Sequence, residues 1–473
     1  MNDRMRQLVV VLAASALLGC IPEKRIVWSS DGRRAAVIGA DGLHVCDGEG
    51  VLSPLLVKDA RHAAWFPDSQ RLLVARTEQI TTWDALTEHL AAARRERLIA
   101  VAKRMHTEAL AYEGDLDDFE PTAEASLTSR ELVAAILYLR DHQSEGLSEK
   151  FGEKWDALRD ASVDLWSLQV WSFATGGASA GPVVMRSFDH KYDELRLAPD
   201  GSKIAFVGPA TDDDDTPVLY VAPIAPDAEA RVVAKAVAMY PDWTPDSRSL
   251  VYIRAARGDG GGKDTLELGA LTQREVCDAG GRMPEEFKPE RDLAGLVFDA
   301  LQRVRCLGDG RILFASLEVH LPSTAEDMPR HVSLFSLDLN RRATVARVLT
   351  REAESQVGDA LALFEVSPDE TRVAMSDTNG GVSVLTLRTG QVEAVVPSED
   401  DKLRTIPVWR SIEELCVAVP IGSEHGSPER AEIALWSKGK LRTISRAWPK
   451  AVVEGFLTPE EKQDGQAPAI SPG

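Results

Sequence analysis

The chain has 473 residues, 44% of them hydrophobic, and 74 Asp and Glu against 54 Lys and Arg give a formal net charge of −20. That apolar share supplies one large domain or two to three smaller ones, and it excludes a globally disordered chain. A surface this acidic repels nucleic acid and anionic head groups, so neither is expected as a partner.

Residues 1–20 read MNDRMRQLVVVLAASALLGC. Arg4 and Arg6 form a short positive region, Leu8 to Leu18 form an apolar run, and the segment closes on Cys20. The run is too short for a helix across a bilayer, which takes roughly 20 apolar residues, and predicts a cleaved export signal. It resembles a bacterial lipoprotein signal, with Leu17-Leu18-Gly19-Cys20 as the lipobox. The resemblance implies removal of 1–19, a diacylglyceryl thioether on Cys20, an acylated (palmitate-bearing) N-terminus and a lipidated tether over 20–24. Ile21 after the cysteine implies, by that family's sorting rule, the outer membrane of a bacterial envelope.

A short pattern then recurs along the chain. It reads Trp28-Ser29-Ser30-Asp31-Gly32, Trp65-Phe66-Pro67-Asp68-Ser69, Leu197-Ala198-Pro199-Asp200-Gly201 and Trp243-Thr244-Pro245-Asp246-Ser247. Further copies are Leu307-Gly308-Asp309-Gly310, Val366-Ser367-Pro368-Asp369-Glu370 and a degenerate Trp409-Arg410-Ser411-Ile412-Glu413. Pro sets φ at the first central position of a type I turn, Asp suits the next, and Gly or Ser follows. Each turn joins an apolar strand to a second strand, and an alternating third strand follows, as at Val218–Val221 and Val382–Leu385. Sheets this small cannot bury a core singly, whereas radial packing covers both faces and leaves only short edges. The expected fold is therefore all-β: a β-propeller over 25–457, of about seven blades with six to eight admissible. The Pro-Asp copies resemble the WD-like repeat of TolB-type periplasmic propellers, and the resemblance implies the same fold.

Residues 85–160 interrupt the second repeat. Leu86, Leu90, Leu98, Val101, Met105, Ala109 and Tyr112 recur at helical spacing, and Thr128-Ser129-Arg130-Glu131 matches a capping box. A helical insertion within blade two is expected, with Tyr112, Phe151 and Trp155 as candidate anchors for a partner protein. Gly258 to Glu290 reads as loop, and 458–473 as a disordered tail.

Chemistry-bearing motifs are sparse. Gly177-Ala178-Ser179-Ala180-Gly181 matches the G-x-S-x-G of serine hydrolases but precedes loop and strand rather than a helix, and reads as an inter-blade turn. Asp212-Asp213-Asp214-Asp215 lacks the spacing of a calcium loop and reads as a hairpin tip. The nine histidines are scattered, and no nucleotide cradle is present. No cofactor, metal or nucleotide is expected. Cys46, Cys277, Cys306 and Cys416 remain besides Cys20. Buried free thiols are one reading, since Cys46 and Cys416 sit in strand-like segments. A bridge between Cys277 and Cys306 is the other; it would close a loop of about 30 residues, worth roughly 3–4 kcal/mol.

The function expected from these features is a membrane-anchored envelope lipoprotein that binds or scaffolds envelope proteins and is not an enzyme. The alternative is an exported propeller-fold enzyme of hydrolase or lyase type, whose residues meet in the central channel from different blades. A charged cluster at the channel mouth would favour the alternative.

Overall fold

The computed structural model describes residues 25–114, 128–156, 158, 161–174, 177–187, 192, 194–211, 214–255, 268–298, 301–319, 330–340, 344–348, 360–377, 380–397, 406–421, 430–453 and 456. The export signal, Cys20, the 20–24 tether, Asp212, Asp213 and the 458–473 tail lie outside the described residues.

The strands form seven four-stranded antiparallel sheets, each taken from consecutive strands and paired in sequence order. These are blade 1 (26–58), blade 2 (60–187), blade 3 (194–235), blade 4 (242–297), blade 5 (304–347), blade 6 (360–396) and blade 7 (408–443). The first strands of blades 1 to 5 touch in succession. The first strand of blade 6 packs on blade 5 and touches that of blade 7, which in turn touches the first strand of blade 1. The result is a closed seven-bladed β-propeller whose first strands surround the central channel, as the repeat pattern predicts.

The recurring aspartate builds the hairpin between the first two strands. Its Oδ1 accepts the backbone N–H two residues on in six blades, at 2.9–3.3 Å: Asp31 from Arg33, Asp68 from Gln70, Asp200 from Ser202, Asp246 from Arg248, Asp309 from Arg311 and Asp369 from Thr371. The next residue is left-handed, as a type I turn followed by a bulge requires. That residue is glycine in blades 1, 3 and 5, and Ser69, Ser247 and Glu370 in blades 2, 4 and 6, at φ of 56°, 60° and 58°. Those three side chains reach back to the preceding blade. Asp31 N donates to Ser69 Oγ at 3.1 Å, Asp200 N to Ser247 Oγ at 3.0 Å, and Gly308 N to the Glu370 carboxylate at 2.9 Å. Gly32 has a different reason: a Cβ there would lie 2.6 Å from the Arg410 carbonyl of blade 7.

The tryptophan of the repeat is a second inter-blade tie. Trp65, Trp243 and Trp409 donate Nε1 to the first-strand carbonyls of Val27, Arg196 and Glu365 in the preceding blade, at 2.9–3.1 Å. A large apolar side chain is thereby buried while its one polar atom stays satisfied.

Among the described residues no strand is exchanged between blades 7 and 1. Blade 7 meets blade 1 through one apolar cluster that includes Trp28, Ala35, Cys46, Val408, Cys416 and Ile433, joined by Ile444, Trp448, Val452 and Phe456 from beyond the last strand. Trp448 donates Nε1 to Gly50 O at 2.8 Å, and Ala40 N donates to Ala451 O at 3.2 Å, so this strap holds the seam.

The helical insertion joins the second and third strands of blade 2, Arg71–Ile80 and Val163–Ala174. Its helices are Trp83–Thr87, Ala92–Ala111, Ser129–His142, Leu147–Phe151 and Glu153–Asp156. Thr128 and Glu131 form the capping box predicted for the third of these. Glu131 is also buried against Arg94 and Arg97 of the long helix. The apolar stripes cover one another, and the bundle rests on Ile80, Val163 and Leu165 at the tips of the blade.

Two local expectations are corrected. Within the stretch read as loop, Leu268–Glu275 is the third strand of blade 4. The G-x-S-x-G string opens the outermost strand of blade 2, Gly177–Ser187, where Ser179 is exposed and pairs with Ser172. It is neither a nucleophile elbow nor an inter-blade turn.

Candidate active site in the central channel

The first strands bring equivalent positions of the repeat together around the channel. Four residues before the turn aspartate, blades 3 to 6 carry Arg196, Asp242, Arg305 and Glu365, so charge alternates from blade to blade. Blades 1 and 2 carry Val27 and Ala64 there, and blade 7 carries Val408. Two residues earlier stand Glu194, Tyr240, Arg303, Leu363 and Ile406 in blades 3 to 7, with Arg25 and His62 in blades 1 and 2.

The charged side chains interlock across blades. Arg305 Nη1 donates to Asp242 Oδ1 at 3.4 Å, while Asp242 Oδ2 accepts the Cys306 N–H at 2.9 Å. Arg303 Nη1 donates to Glu365 Oε1 at 2.5 Å and to the Phe364 carbonyl at 3.2 Å, and its guanidinium lies 4.6 Å over the Tyr240 ring. Arg196 Nε lies 3.1 Å from Glu194 Oε1. That contact is an ion pair without hydrogen-bond alignment: Nε and Nη2 of Arg196 are buried and have no hydrogen-bond partner among the described residues, and the same holds for Nε and Nη2 of Arg303.

Exposure varies within each layer: Glu365 of the outer positions is buried, and Arg25 and His62 of the deeper ones are half-buried. The Arg305 and Arg196 side chains are 26% and 12% exposed, whereas Arg303 is fully buried. Tyr240, Leu363 and Ile406, from three different blades, touch one another beneath. Three of the seven deeper positions thus pack together as an apolar group, while Arg25, His62, Glu194 and Arg303 occupy the other four. Burial lowers the Arg196 guanidinium from its ordinary value, with Glu194 opposing that shift and Arg305 and Arg303 adding to it. The Asp242 carboxylate holds Arg305 above its ordinary value against burial, and Glu365 and Glu194 contribute. Arg305 thus senses carboxylates from blades 3, 4 and 6. Unsaturated guanidinium donors in a pocket of reduced dielectric are matched to a planar oxyanion, above all a carboxylate.

The residues singled out from sequence lie elsewhere. Trp155 is buried in the helical insertion with Met105, Leu139 and Leu147, and Phe151 packs on the same cluster. Trp155 therefore anchors the bundle itself and offers no surface to a partner, which corrects that expectation; Tyr112 is half-buried at the end of the helix Ala92–Ala111. Cys20 lies outside the described residues. The bridge between Cys277 and Cys306 is also corrected, since both are free thiols. Cys277 packs on the face of blade 4 toward blade 3, Cys306 in the cluster toward blade 5, and the sheet of blade 4 separates them. Among the described residues no cluster of His, Cys, Asp or Glu could hold a metal, and no helix is long and apolar enough to cross a membrane.

The charged layer was missed in sequence because its members are 46 to 63 positions apart and belong to no contiguous motif. Aligning the six copies that carry the aspartate would have shown it as one column.

No protein-family model and no curated protein matches the sequence. Among solved structures, the chain is similar to an oligogalacturonate lyase in complex with manganese, at 10% identity and a TM-score of 0.47, covering 92% of this chain and 91% of that one. It is also similar to the Cps50 (Swd1) β-propeller domain of Myceliophteria thermophila, at 12% identity and a TM-score of 0.42 over 87% and 96% of the two chains. A third is the acylaminoacyl peptidase of Pyrococcus horikoshii, at 14% identity and a TM-score of 0.37 over 59% and 41%. These likenesses concern the fold. The expectation that the chain is not an enzyme is withdrawn: its ground was the lack of a contiguous catalytic motif, and the propeller brings charged residues of different blades together.

Proposed function

We propose that this protein is an exported, lipid-anchored propeller that works through its central channel, as an enzyme of hydrolase or lyase type acting on a carboxylate-bearing substrate. The observation that carries the reading is the alternation Arg196, Asp242, Arg305, Glu365 at one repeat position, with guanidinium N–H groups of Arg196 left without partners. The substrate carboxylate engages Arg196 and Arg305. In doing so it competes with Glu194 and Asp242 for their arginines and releases a carboxylate base beside the bound molecule, as general-base chemistry requires. The lipobox-like Leu17-Leu18-Gly19-Cys20 supports the anchor, and Ile21 supports delivery to the outer membrane, among envelope proteins as neighbours. Electrostatic exclusion of nucleic acid is consistent with this setting.

The channel reading is tested with small carboxylates and their matched amides, by calorimetry and by NMR detection of turnover. Carboxylates should bind and amides should not, and Arg196→Gln or Arg305→Gln should weaken binding by tenfold or more. Equal behaviour of acids and amides would overturn the reading. The anchor is tested separately: Cys20→Ser should move the protein from the membrane to the soluble fraction, and its retention would sink the lipidation.

A further inference from the structure

The strand directions give the propeller two distinct ends. Every first strand runs toward its turn, and the turns of neighbouring blades meet, since Asp31 N donates to Ser69 Oγ and Asp200 N to Ser247 Oγ. Blade 1 therefore starts at the opposite end, where Ile38 N donates to the Arg25 carbonyl at 2.8 Å. The helical insertion leaves blade 2 at that same end, one blade away, because it joins the second strand to the third. Those two strands stay paired as far as Ile80 and Val163, four residues beyond Arg76, which lies opposite the start of the first strand at Ala60. At about 3.4 Å per residue, the bundle is carried about 14 Å past the first strand. Cys20 is five residues from Arg25, a reach of no more than about 18 Å. The bundle thus stands about as far out as the tether can extend.

The charge of its long helix differs from that of the body. Ala92–Ala111 carries Arg94, Arg95, Arg97, Lys103 and Arg104 against Glu96 and Glu108, in a chain of net charge −20. Arg94 and Arg97 pair with the buried Glu131. Arg95, Lys103 and Arg104 are exposed. Near the end of this helix Leu110 is 40% exposed, and the exposed Lys150 donates Nζ to its carbonyl at 2.6 Å. Cations grouped beside an apolar side chain suit a surface of anionic head groups.

We infer that the helical insertion is the membrane-facing part of the protein. The exposed cations of Ala92–Ala111, with Lys150, rest on anionic phospholipid head groups of the leaflet that holds Cys20, and the aspartate turns point away from the bilayer. The acidic remainder of the body opposes adhesion elsewhere. The inference rests on the lipid anchor proposed above and adds the contact surface to it.

The test uses the full-length lipidated protein on vesicles of phosphatidylethanolamine and phosphatidylglycerol, with the soluble Cys20→Ser protein as reference. Flotation reports the anchor, and a membrane-impermeant acylating reagent reports the exposure of each lysine. Lys103 and Lys150 should react at least threefold more slowly on vesicles than in the reference. Lys438, 81% exposed in the turn between the last two strands of blade 7, at the aspartate-turn end, should react equally in both. Arg95→Glu, Lys103→Glu and Arg104→Glu combined, with an unchanged circular dichroism spectrum, should return Lys150 toward its soluble reactivity. Unshielded Lys103 and Lys150 in floating protein, shielding of Lys438 in their place, or shielding of Lys150 that survives charge reversal would each overturn the inference while the anchor stands. Protein that does not float would overturn the anchor, and the inference with it.

Discussion

At the scale of single residues, the turn aspartates and their left-handed neighbours explain why one motif tolerates both glycine and larger residues. Ser247 at φ 60° carries strain of about 1 kcal/mol, while its Oγ accepts the Asp200 N–H at 3.0 Å, a bond worth roughly the same. Ser247→Gly should therefore leave the denaturation midpoint nearly unchanged. Ser247→Ala keeps the strain and loses the bond, and should destabilise by about 1 kcal/mol. The aspartates themselves predict an acid limit. Burial raises Asp31, Asp68, Asp200, Asp309 and Asp369, but hydrogen bonds from neighbouring side chains and N–H groups, with nearby cations in most turns, leave all five below the ordinary carboxylate value. Their stabilisation is complete above an unfolded value of about 3.9 and is lost as the pH falls through the lower folded values. Unfolding followed by tryptophan fluorescence should steepen below that pH, and replacing the five with Asn should flatten the dependence. The turn residues were readable from sequence because their chemistry is local. The channel charges were not, because ion pairs such as Arg305–Asp242 become neighbours only when the ring closes.

At the scale of elements, length and periodicity located the helical insertion correctly, since both are properties of a contiguous segment. What the stripes would cover was not legible: Trp155 has the composition of an interface anchor, and only the packing of three helices places it inside. Replacing 83–160 by a short Gly/Ser hairpin should leave a folded propeller, because the bundle contacts the blade through Ile80, Val163 and Leu165 at its tips. Retained β-type circular dichroism would confirm this, and an unfolded product would make the helices part of the core. The third strand of blade 4 escaped notice for a related reason. Leu268–Glu275 follows a glycine- and charge-rich run and carries Gln273, Arg274 and Glu275, so its polarity reads as loop until its partner Ser249–Ala255 is alongside.

At the scale of the whole molecule, the seam between blades 7 and 1 carries the closure. Trp448 is buried there and bonded to Gly50, so Trp448→Ala should cost about 3–5 kcal/mol, measured by urea denaturation. Cys46 and Cys416 lie in the same cluster, one on each side of the seam. Burial, reinforced for Cys46 by Cys416 and Asp47, pushes both thiols up to about 12. An unfolded thiol ionises near about 8.5, so the stabilisation is fully present below that pH and is lost as the pH rises toward the folded value. The protein should weaken progressively above about pH 9, and Cys46→Ala with Cys416→Ala should remove much of that slope.

A ring closed by a packed seam and its strap also has a history in time. Blade 1 leaves the ribosome first, with Trp28, Ala35 and Cys46 on a face whose cover comes from residues 408–456. At synthesis rates of about 5–20 residues per second, that face waits on the order of tens of seconds. Every other blade finds its following neighbour within the next blade's worth of chain. The first blade is thus the one most exposed to mispairing with another newborn chain, and the strap is the last piece to end that exposure.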